Sequence, residues 1–537
     1  MSKNIVLMLL CVLLTATIAS AIVPVSVRMR GLGPSLVGIV DDEYSDLFFN
    51  PAFINKIDGN RVYTNLSNVH HFGEDLIFSD MYSPDMYYNL LGGITECCQS
   101  KVGALIEMSG ADMLITEEEY TQEIDGNDTY IDSVKTETKM KYTDHSFNLF
   151  LGKKFGNFHI GVWVGPDMMA MEQNEKDIEK NYHFRNDSLI EYNFSQEEMN
   201  NQAKTNAYPF MIGVITGEPE NEISANFAYG FDRVNGFAPV NFITSELNHE
   251  LDSTLTSIDR SFDNTEEKTE QSGYFLAFNG RNKRRFEDHS LVYLAGLTYS
   301  NRPNTYNSFD TTCDFYSPSS GYHQLTSTTT TQEGEGPTKY IALALGIGTE
   351  KYFDALNTNS LFAIGFIPSY FGGSTTITMR PEQTHIYAYD NYYYSDTLEY
   401  TVDETSNETT EIKNTFGGFT FTIPAGLETN LTNRLVLRLG VTQDIMLKVK
   451  DCTEQTLTDG GWTEHYVSGS FDTTYAEPAD ELDSHYTKTE SKTSIANSTT
   501  YHYGLGFKVN DNIELNFLNY SDLTNLMNWV LGVNIKW

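Results

Sequence analysis

Basic residues are scarce in this chain of 537 residues. Lysine and arginine together number 35 against 73 aspartates and glutamates, so the formal net charge at pH 7 is -38. A protein that binds nucleic acid needs a basic surface, so this class of function is excluded. The chain is also unlike a disordered acidic protein, because aromatic residues make up 13% of the sequence and disordered chains contain few of them.

Long apolar runs are missing after the N-terminus. A membrane-spanning helix needs roughly 18 consecutive apolar residues, and no such run follows residue 21. The N-terminus itself is typical of a secretory signal peptide. Lys3 supplies the positive charge, residues 5–18 the apolar core, and Ala19-Ser20-Ala21 the small residues before a cleavage site. We therefore predict a signal peptide over residues 1–21 and an exported chain without a helical anchor.

Cysteine is also scarce, and one of the five cysteines lies within the predicted signal peptide. Cys97 and Cys98 are adjacent in sequence and would pair only with strain. Cys313 and Cys452 either form a disulfide between two loops or remain free. No cysteine or histidine spacing is typical of a metal site. Neither a metal ion nor another cofactor is therefore predicted.

Large apolar residues alternate with small or polar residues throughout the chain. Between residues 341 and 348, Ile341, Leu343, Leu345 and Ile347 alternate with alanine and glycine. A strand places such residues on opposite faces, whereas a helix would scatter them around its axis. Weak alternation in the first two segments leaves fourteen strands as an alternative to sixteen. The predicted strands are 61–68, 86–96, 101–110, 142–152, 157–166, 205–216, 221–232, 272–280, 289–300, 338–349, 359–371, 413–426, 433–449, 499–508, 512–519 and 527–537.

Short and long connections alternate between these predicted strands. The long polar ones are 112–140, 167–204, 233–271, 301–336, 373–411 and 451–498. Transmembrane barrels have short periplasmic turns, long extracellular loops and strands of about 9 to 11 residues. The sequence therefore predicts an all-β fold: a transmembrane antiparallel β-barrel of about 14 to 16 strands with long extracellular loops. Such a barrel would lie in the outer membrane in contact with its lipids.

The stretch RGLGPSLVGIVDDEYSDLFFNPAF, residues 30–53, has features of several kinds of site. Gly31 and Gly33 match part of a nucleotide-binding loop, but the third glycine and the flanking strand and helix are not evident. Asp41 and Asp42 either bind a cation or cap a short helix or turn and face water in the barrel. We favour the second interpretation.

The rest of the chain has no catalytic pattern. Residues 125–132, DGNDTYID, lack the glycine and the glutamate of a calcium-binding loop. His70 and His71 either bind a metal or are solvated, and the solvated state is the commoner one for such a pair. No G-x-S-x-G sequence marks a nucleophile. We therefore predict that the chain is not an enzyme and has no catalytic residues.

Two prolines fall within predicted strands. Proline has no amide hydrogen to donate to a strand ladder, so Pro368 and Pro424 each indicate either a bulge in the barrel wall or the end of a strand. A bulge would be a place where the wall can open.

The stretch after the signal peptide resembles the N-terminal segment of the FadL-type and PorV-type outer-membrane barrels. The resemblance rests on Gly31-Leu32-Gly33, the apolar run 36–40, Asp41-Asp42 and Asn50-Pro51-Ala52, in this order and spacing. It implies three parts: the signal peptide over 1–21, an N-terminal plug over 22–60 and the barrel over 61–537. Gly31, Gly33, Asp41, Asp42 and the Asn50-Pro51-Ala52 turn would then belong to the plug, and that turn would mark where the plug gives way to the wall.

The same resemblance implies two different functions. FadL-type barrels take up hydrophobic small molecules, which meet the plug and leave through an opening in the wall. PorV-type barrels instead act as partners in protein secretion or surface attachment. A shared fold does not decide between them. We expect passive uptake of a hydrophobic ligand, with a secretion-system or surface-protein partner as the alternative.

Overall fold

The structure of the chain is a computed structural model. It describes residues 25–67, 85–185, 188–218, 220–249, 255–318, 322–355, 358–391, 396–406, 409–458, 462–468, 471–477, 485–490, 493–519 and 529–537. The predicted signal peptide and the pair His70-His71 lie outside these residues. Within the described ranges no helix is long and apolar enough to span a membrane.

Strands make up almost all of the described chain, because alternating and β-branched residues suit a pleated sheet. In chain order they are β1 Arg61–Ser67, β2 Asp85–Cys97, β3 Ser100–Asp125, β4 Asp128–Phe155, β5 Phe158–Val164, β6 Asp167–Arg185, β7 Ser188–Glu218, β8 Asn221–His249, β9 Leu255–Arg285, β10 His289–Pro318, β11 Tyr322–Ala355, β12 Thr358–Asn391, β13 Asp396–Ser406, β14 Thr409–Asn430, β15 Leu435–Thr458, β16 Trp462–Ser468, β17 Phe471–Glu477, β18 His485–Glu490, β19 Ser494–Asn510, β20 Ile513–Asn519 and β21 Trp529–Lys536.

These strands form one closed antiparallel ring. β1 pairs with β2 on one side and with β21 on the other, which joins the two ends of the sheet. Several segments continue one another in the wall: β5 with β6, β13 with β14, β15 with β16, and β17 with β18 and β19. The wall therefore has 16 strands. The predicted barrel and its higher strand count are confirmed.

The outer face of the ring is apolar and its inner face is polar. On β11, Ile341, Leu343, Leu345 and Ile347 are 43% to 53% exposed. The buried face instead carries polar and charged side chains: Glu107, Asn148, Asn226, Asp232, Gln271, Arg281, Lys283, Ser290, Arg302, Thr338, Glu350, Ser360, Thr375, Arg438 and Thr442. This arrangement is the reverse of a soluble protein and is that of a barrel surrounded by lipid.

The long polar segments are mostly strand, which corrects their prediction as loops. β3 and β4 remain paired from residue 113 opposite 140 to residue 125 opposite 128, where a tight turn joins them. β11 and β12 have 34 residues each, or about 110 Å at about 3.3 Å per residue. A membrane-spanning strand needs only about 9 to 11 residues. Threonine-rich sequences such as 326–331 favour extended backbone even when both faces are polar.

Pro368 and Pro424 interrupt the ladder without shifting it. Pairing of β11 with β12 is missing where residues 345–346 face 367–368, and the same register resumes beyond. Pairing of β12 with β14 is likewise missing where 365–366 face 423–424. The register shift in this part of the wall lies instead between Gly417 and Gly418. Neither alternative considered for these prolines, a bulge or a strand end, is found, because both strands continue in register and the missing amide removes a hydrogen bond but adds no residue.

Cys313 and Cys452 do not form a disulfide. Both are free, and they lie on β10 and β15, which are not neighbours in the sheet. The considered disulfide joined two loops, whereas both residues belong to long strands whose positions are fixed by the ladder.

Candidate functional site

The N-terminal segment, residues 25–60, is the longest part of the described chain that lies outside the strands. It contains helices α1, Val27–Leu32, and α2, Glu43–Phe49, and 3-10 helices at Pro34–Leu36 and Pro51–Lys56. Ser26 caps α1, since its hydroxyl accepts from the amide of Met29 at 3.0 Å. Asp42 caps α2, since its carboxylate accepts from the amide of Ser45 at 2.9 Å. The capping role favoured for Asp42 is confirmed.

The N-terminal segment contacts strands on opposite sides of the ring. α1 packs against β14, β15, β19, β20 and β21, whereas the second 3-10 helix packs against β3, β4, β5 and β7. Between them, the carbonyls of Gly38 and Ile39 accept from Arg281 and Lys283 on β9. A segment this short reaches all these strands only from within the ring. It therefore lies inside the barrel.

Glycines on the inner face of the wall make room for this segment. A Cβ on Gly213 would lie 1.9 Å from the side-chain oxygen of Asn50, and one on Gly161 would lie 2.2 Å from the carbonyl carbon of Pro51. On the other side, a Cβ on Gly440 would lie 2.0 Å from the carbonyl oxygen of Leu32. Any larger residue at these positions would displace the segment, so its packing against the wall requires glycine there.

The two glycines of the opening motif have different surroundings. Gly31 lies in α1 against the backbone of β19, where its own Cβ would be 3.0 Å from the Cα of Gly504. Gly33 ends α1 with a φ of 124°, a conformation that favours glycine. Neither glycine belongs to a strand–loop–helix unit, so neither forms a phosphate-binding loop.

Asn50 fixes the predicted turn to the wall. Its side-chain amide donates to the carbonyls of Val214 on β7 at 3.1 Å and Ala225 on β8 at 3.0 Å. Its side-chain oxygen accepts from the amide of Ala52 at 3.0 Å, and Pro51 begins the 3-10 helix. The wall itself begins only at Arg61. Asn50-Pro51-Ala52 is thus an internal docking turn, which corrects its prediction as the passage from segment to wall.

Asp41 meets three cations of β9. Its carboxylate lies 3.0 Å from Nζ of Lys283, 2.9 Å from Nη2 of Arg285 and 3.5 Å from Nη1 of Arg281. Partial burial acts to raise the pKa of Asp41, but Lys283, Arg281 and Arg285 outweigh it and hold the pKa well below its ordinary value. Asp41 is therefore a charged anchor of the segment.

The same cations are neutralised by carboxylates of the wall. Arg281 lies 2.7 Å from Glu222 on β8, and Lys283 lies 2.5 Å from Glu350 on β11. Lys56 of the segment also pairs with Glu222. Arg281 and Lys283 are fully buried, and buried ions are retained only with partners. We call Asp41, Glu222, Arg281, Lys283, Arg285 and Glu350 the β9 charge cluster.

A second set of ion pairs holds the other end of the segment. Arg28 of α1 makes a bidentate pair with Glu428 on β14, at 2.9 and 3.0 Å. Glu428 also accepts from Arg438 on β15 at 2.6 Å. Arg61 at the start of β1 makes a bidentate pair with Glu43 of α2, at 2.9 and 3.0 Å. Planar bidentate pairs are the stronger kind of ion pair.

Sequence reasoning missed most of these wall residues. Arg281, Lys283 and Arg285 belong to the end of β9, and the first two point inward. Glu350, Glu428 and Arg438 were not singled out. The sequence signal that could have found them is a charged residue near a short turn, at a position where the strand alternation predicts an inward-facing side chain. Most partners are distant in the chain, 59 residues apart for Arg281 and Glu222 and 400 for Arg28 and Glu428, and leave no local pattern.

A polar cavity of about 580 Å³ lies between the segment and the short-turn ends of the wall. Arg28, Glu428 and Arg438 line it, together with several asparagines. The hydroxyls of Tyr44 and Tyr63 face this region and have no hydrogen-bond partner in the part of the chain that the structure describes. Such a lining suits water rather than an apolar compound.

No cluster of three or more histidine, cysteine, aspartate or glutamate side chains among the described residues could hold a metal ion. No family model and no curated protein matches the chain. Among solved structures, the siderophore receptor PirA from Acinetobacter baumannii is similar at 6% identity and a TM-score of 0.20, covering 89% of this chain and 80% of that one. The FrpB iron transporter from Neisseria meningitidis is similar at 9% identity and a TM-score of 0.20, covering 89% and 81%. Superpositions of this quality support no conclusion about function.

Proposed function

We propose that this chain is an outer-membrane barrel in which the N-terminal segment acts as a plug and hydrophobic small molecules pass inward by way of the wall. In this proposal a compound enters between the long strands, reaches the segment near Ile39 and leaves sideways between β11, β12 and β14. The resemblance of residues 31–52 to FadL-type barrels supports the same role.

The observation that carries the proposal is the position of Ile39. Its side chain lies 2.6 Å from where a Cβ would stand on Gly348 and 2.5 Å from where one would stand on Gly365. Gly365 is also one of the residues at which β12 loses its pairing with β14. The apolar side chain of Ile39 thus touches the wall where its ladder is interrupted.

The polar cavity supports a lateral path. A hydrophobic compound that continued straight through would have to cross the charges of Arg28, Glu428 and Arg438. An apolar compound in this region would displace water from the charged groups without offering them new hydrogen bonds, which is unfavourable. The lipid outside β12 is the better solvent for the compound.

A disulfide across the interrupted ladder tests this path. Phe366 and Ile423 face each other across the gap, so F366C with I423C closes it in a background without the native cysteines. Tyr370 and Phe419 are a paired position on the same two strands, and Y370C with F419C is the matched control. The measurement is uptake of a fluorescent long-chain fatty acid by cells that produce each variant.

The proposal predicts that the oxidised F366C/I423C variant loses uptake and that a reducing agent restores it. The oxidised control pair should retain uptake. Equal uptake by both crosslinked variants, with the crosslinks verified by mass, contradicts the lateral path. Absence of uptake by the unmodified chain contradicts hydrophobic transport itself.

A second candidate function, a PorV-like partner in secretion or surface display, is favoured by the length of the strands. β9 to β12 each have 30 to 34 residues, far more than a membrane requires. An uptake barrel does not need such an extension, whereas a binding surface would use it. Recovery of a stoichiometric partner from solubilised membranes, with no uptake by the chain, would favour this role.

A further inference from the structure

The turn between β2 and β3 is built from unusual residues. Cys97 pairs with Ser100, and the two residues between them, Cys98 and Gln99, have φ values of 53° and 62°. Two-residue turns with positive φ strongly prefer asparagine and glycine. Residues with larger side chains are strained in this conformation, and such strain is often found at functional positions.

This strained turn presents two thiols side by side. Cys97 and Cys98 are both exposed, and their sulfur atoms are 3.6 Å apart. Neighbouring Cα atoms are about 3.8 Å apart, which is below the range of about 4.4 to 6.8 Å found in ordinary disulfides. A disulfide between them would be strained, and strained, exposed disulfides are the readily reduced and regulatory ones.

The same turn holds the link between the N-terminal segment and the wall. Lys101 donates through Nζ to the carbonyls of Ile57 at 2.8 Å and Gly59 at 2.7 Å. The side-chain oxygen of Asn60 accepts from the amide of Glu96 at 3.2 Å. Residues 57–60 are the last residues of the segment and lead directly into β1. A change in the turn therefore acts on the attachment of the segment.

We propose that Cys97 and Cys98 are a reversible thiol–disulfide site. Its oxidation state determines how tightly the β2–β3 turn and its flanking residues bind residues 57–60. Oxidation transfers two electrons and two protons from the two thiols to a disulfide oxidant, forming one Sγ–Sγ bond and two thiols on the oxidant. A dithiol reductant reverses the step. The bond closes a ring that includes the peptide bond between the two cysteines, so the turn must change shape. The inference goes beyond the proposed function and needs only the expected position of the short turns in the periplasm.

The test uses the full chain purified in detergent, with Cys313 and Cys452 changed to serine so that only the turn reacts. The protein is equilibrated with oxidised or reduced glutathione and analysed by peptide mass spectrometry. The peptide of residues 97 and 98 should lose two hydrogens and carry no glutathione. Cys97→Ser and Cys98→Ser should each take up one glutathione instead.

Hydrogen exchange of residues 57–60 measures whether oxidation weakens their attachment to the turn. Oxidation should speed their exchange about fivefold, the effect of losing one ordinary hydrogen bond, and should leave the Cys98→Ser variant unchanged. Two glutathiones on one chain, two free thiols or a disulfide between two chains would each overturn the site. Unchanged exchange in the oxidised chain would overturn its hold on residues 57–60. Neither readout depends on transport.

Discussion

At the scale of single residues, the N-terminal segment is held by buried charges rather than by apolar packing alone. Lys283 shows this best, because it is fully buried and touches the carboxylates of Asp41 and Glu350 and the carbonyl of Ile39. It joins the segment to β9 and β11 in one contact. Removing one partner of a buried pair costs more than the pair contributes, since the other charge stays buried.

Lys283→Met should therefore weaken the attachment of the segment by about 3 kcal/mol. Lys351→Met is the control, because Lys351 pairs with Asp288 at 3.1 Å but is 54% exposed, and exposed pairs contribute about 0 to 1 kcal/mol. Hydrogen exchange of residues 38–46 measures the free energy of opening. Similar values for the two variants would show that the β9 charge cluster does not hold the segment.

Asp46 makes the attachment depend on pH. Burial raises the pKa of Asp46 to about 7; Arg281 opposes the shift, and Asp41 and Asp42 add to it. The docked segment thus binds this proton more tightly than the free segment, whose pKa is about 3.9. The stability of docking is greatest below about pH 4 for this group and falls as the pH rises to about 7.

Opening of α2 should accordingly be easier at pH 8 than at pH 5, by on the order of tenfold per pH unit at most below pH 7. Hydrogen exchange, corrected for its intrinsic pH dependence, measures the change. Asp46→Asn should abolish the difference, whereas Asp58→Asn should keep it, because Asp58 is exposed and its pKa is lowered by Lys536. A wild-type chain that opens equally at both pH values contradicts this role of Asp46.

At the scale of elements, the wall and the segment are matched by shape. The inner glycines lie where the segment needs space, on β5 and β7 for Asn50-Pro51 and on β15 for Leu32. Their alternation with large outward residues is a local property, so it was visible in the sequence and helped to place the strands. The packing of the N-terminal segment against these glycines could not be predicted, because the contacts join residues more than a hundred positions apart.

Gly213→Val should displace the segment while leaving the wall intact, since its Cβ would stand 1.9 Å from Asn50 and valine favours strands. Gly236→Val is the control on the same side of the wall, where the nearest atom to an added Cβ is 3.8 Å away. Proteolysis of the segment in detergent compares the two. Equal protection of the segment from proteolysis in both variants would contradict the packing of Asn50 against Gly213.

The predicted and observed elements differ mainly beyond the membrane. All sixteen strand positions were predicted, because one face of each strand meets lipid and hydrophobicity alternates clearly along all but the first two. The hairpin extensions were predicted as loops, because residues such as 116–123 are mostly polar on both faces and give no alternation in hydrophobicity. Their strand character comes from β-branched residues and continuous pairing, which depend on the neighbouring strand.

At the scale of the whole molecule, the chain is a closed ring with an apolar exterior, a charged interior and its own N-terminal segment across that interior. The segment is tied to the wall by ion pairs on both sides, at Asp41 and at Arg28. An open barrel of 16 strands would leave a water-filled channel. The central claim is that the segment closes this channel.

Conductance in planar bilayers tests that claim most directly. The intact chain is compared with a variant lacking residues 31–56, and circular dichroism confirms that both retain the β-barrel. The account predicts little conductance for the intact chain and a large, steady conductance for the deletion variant. Equal conductance of the two folded proteins would contradict the closure of the barrel by its N-terminal segment.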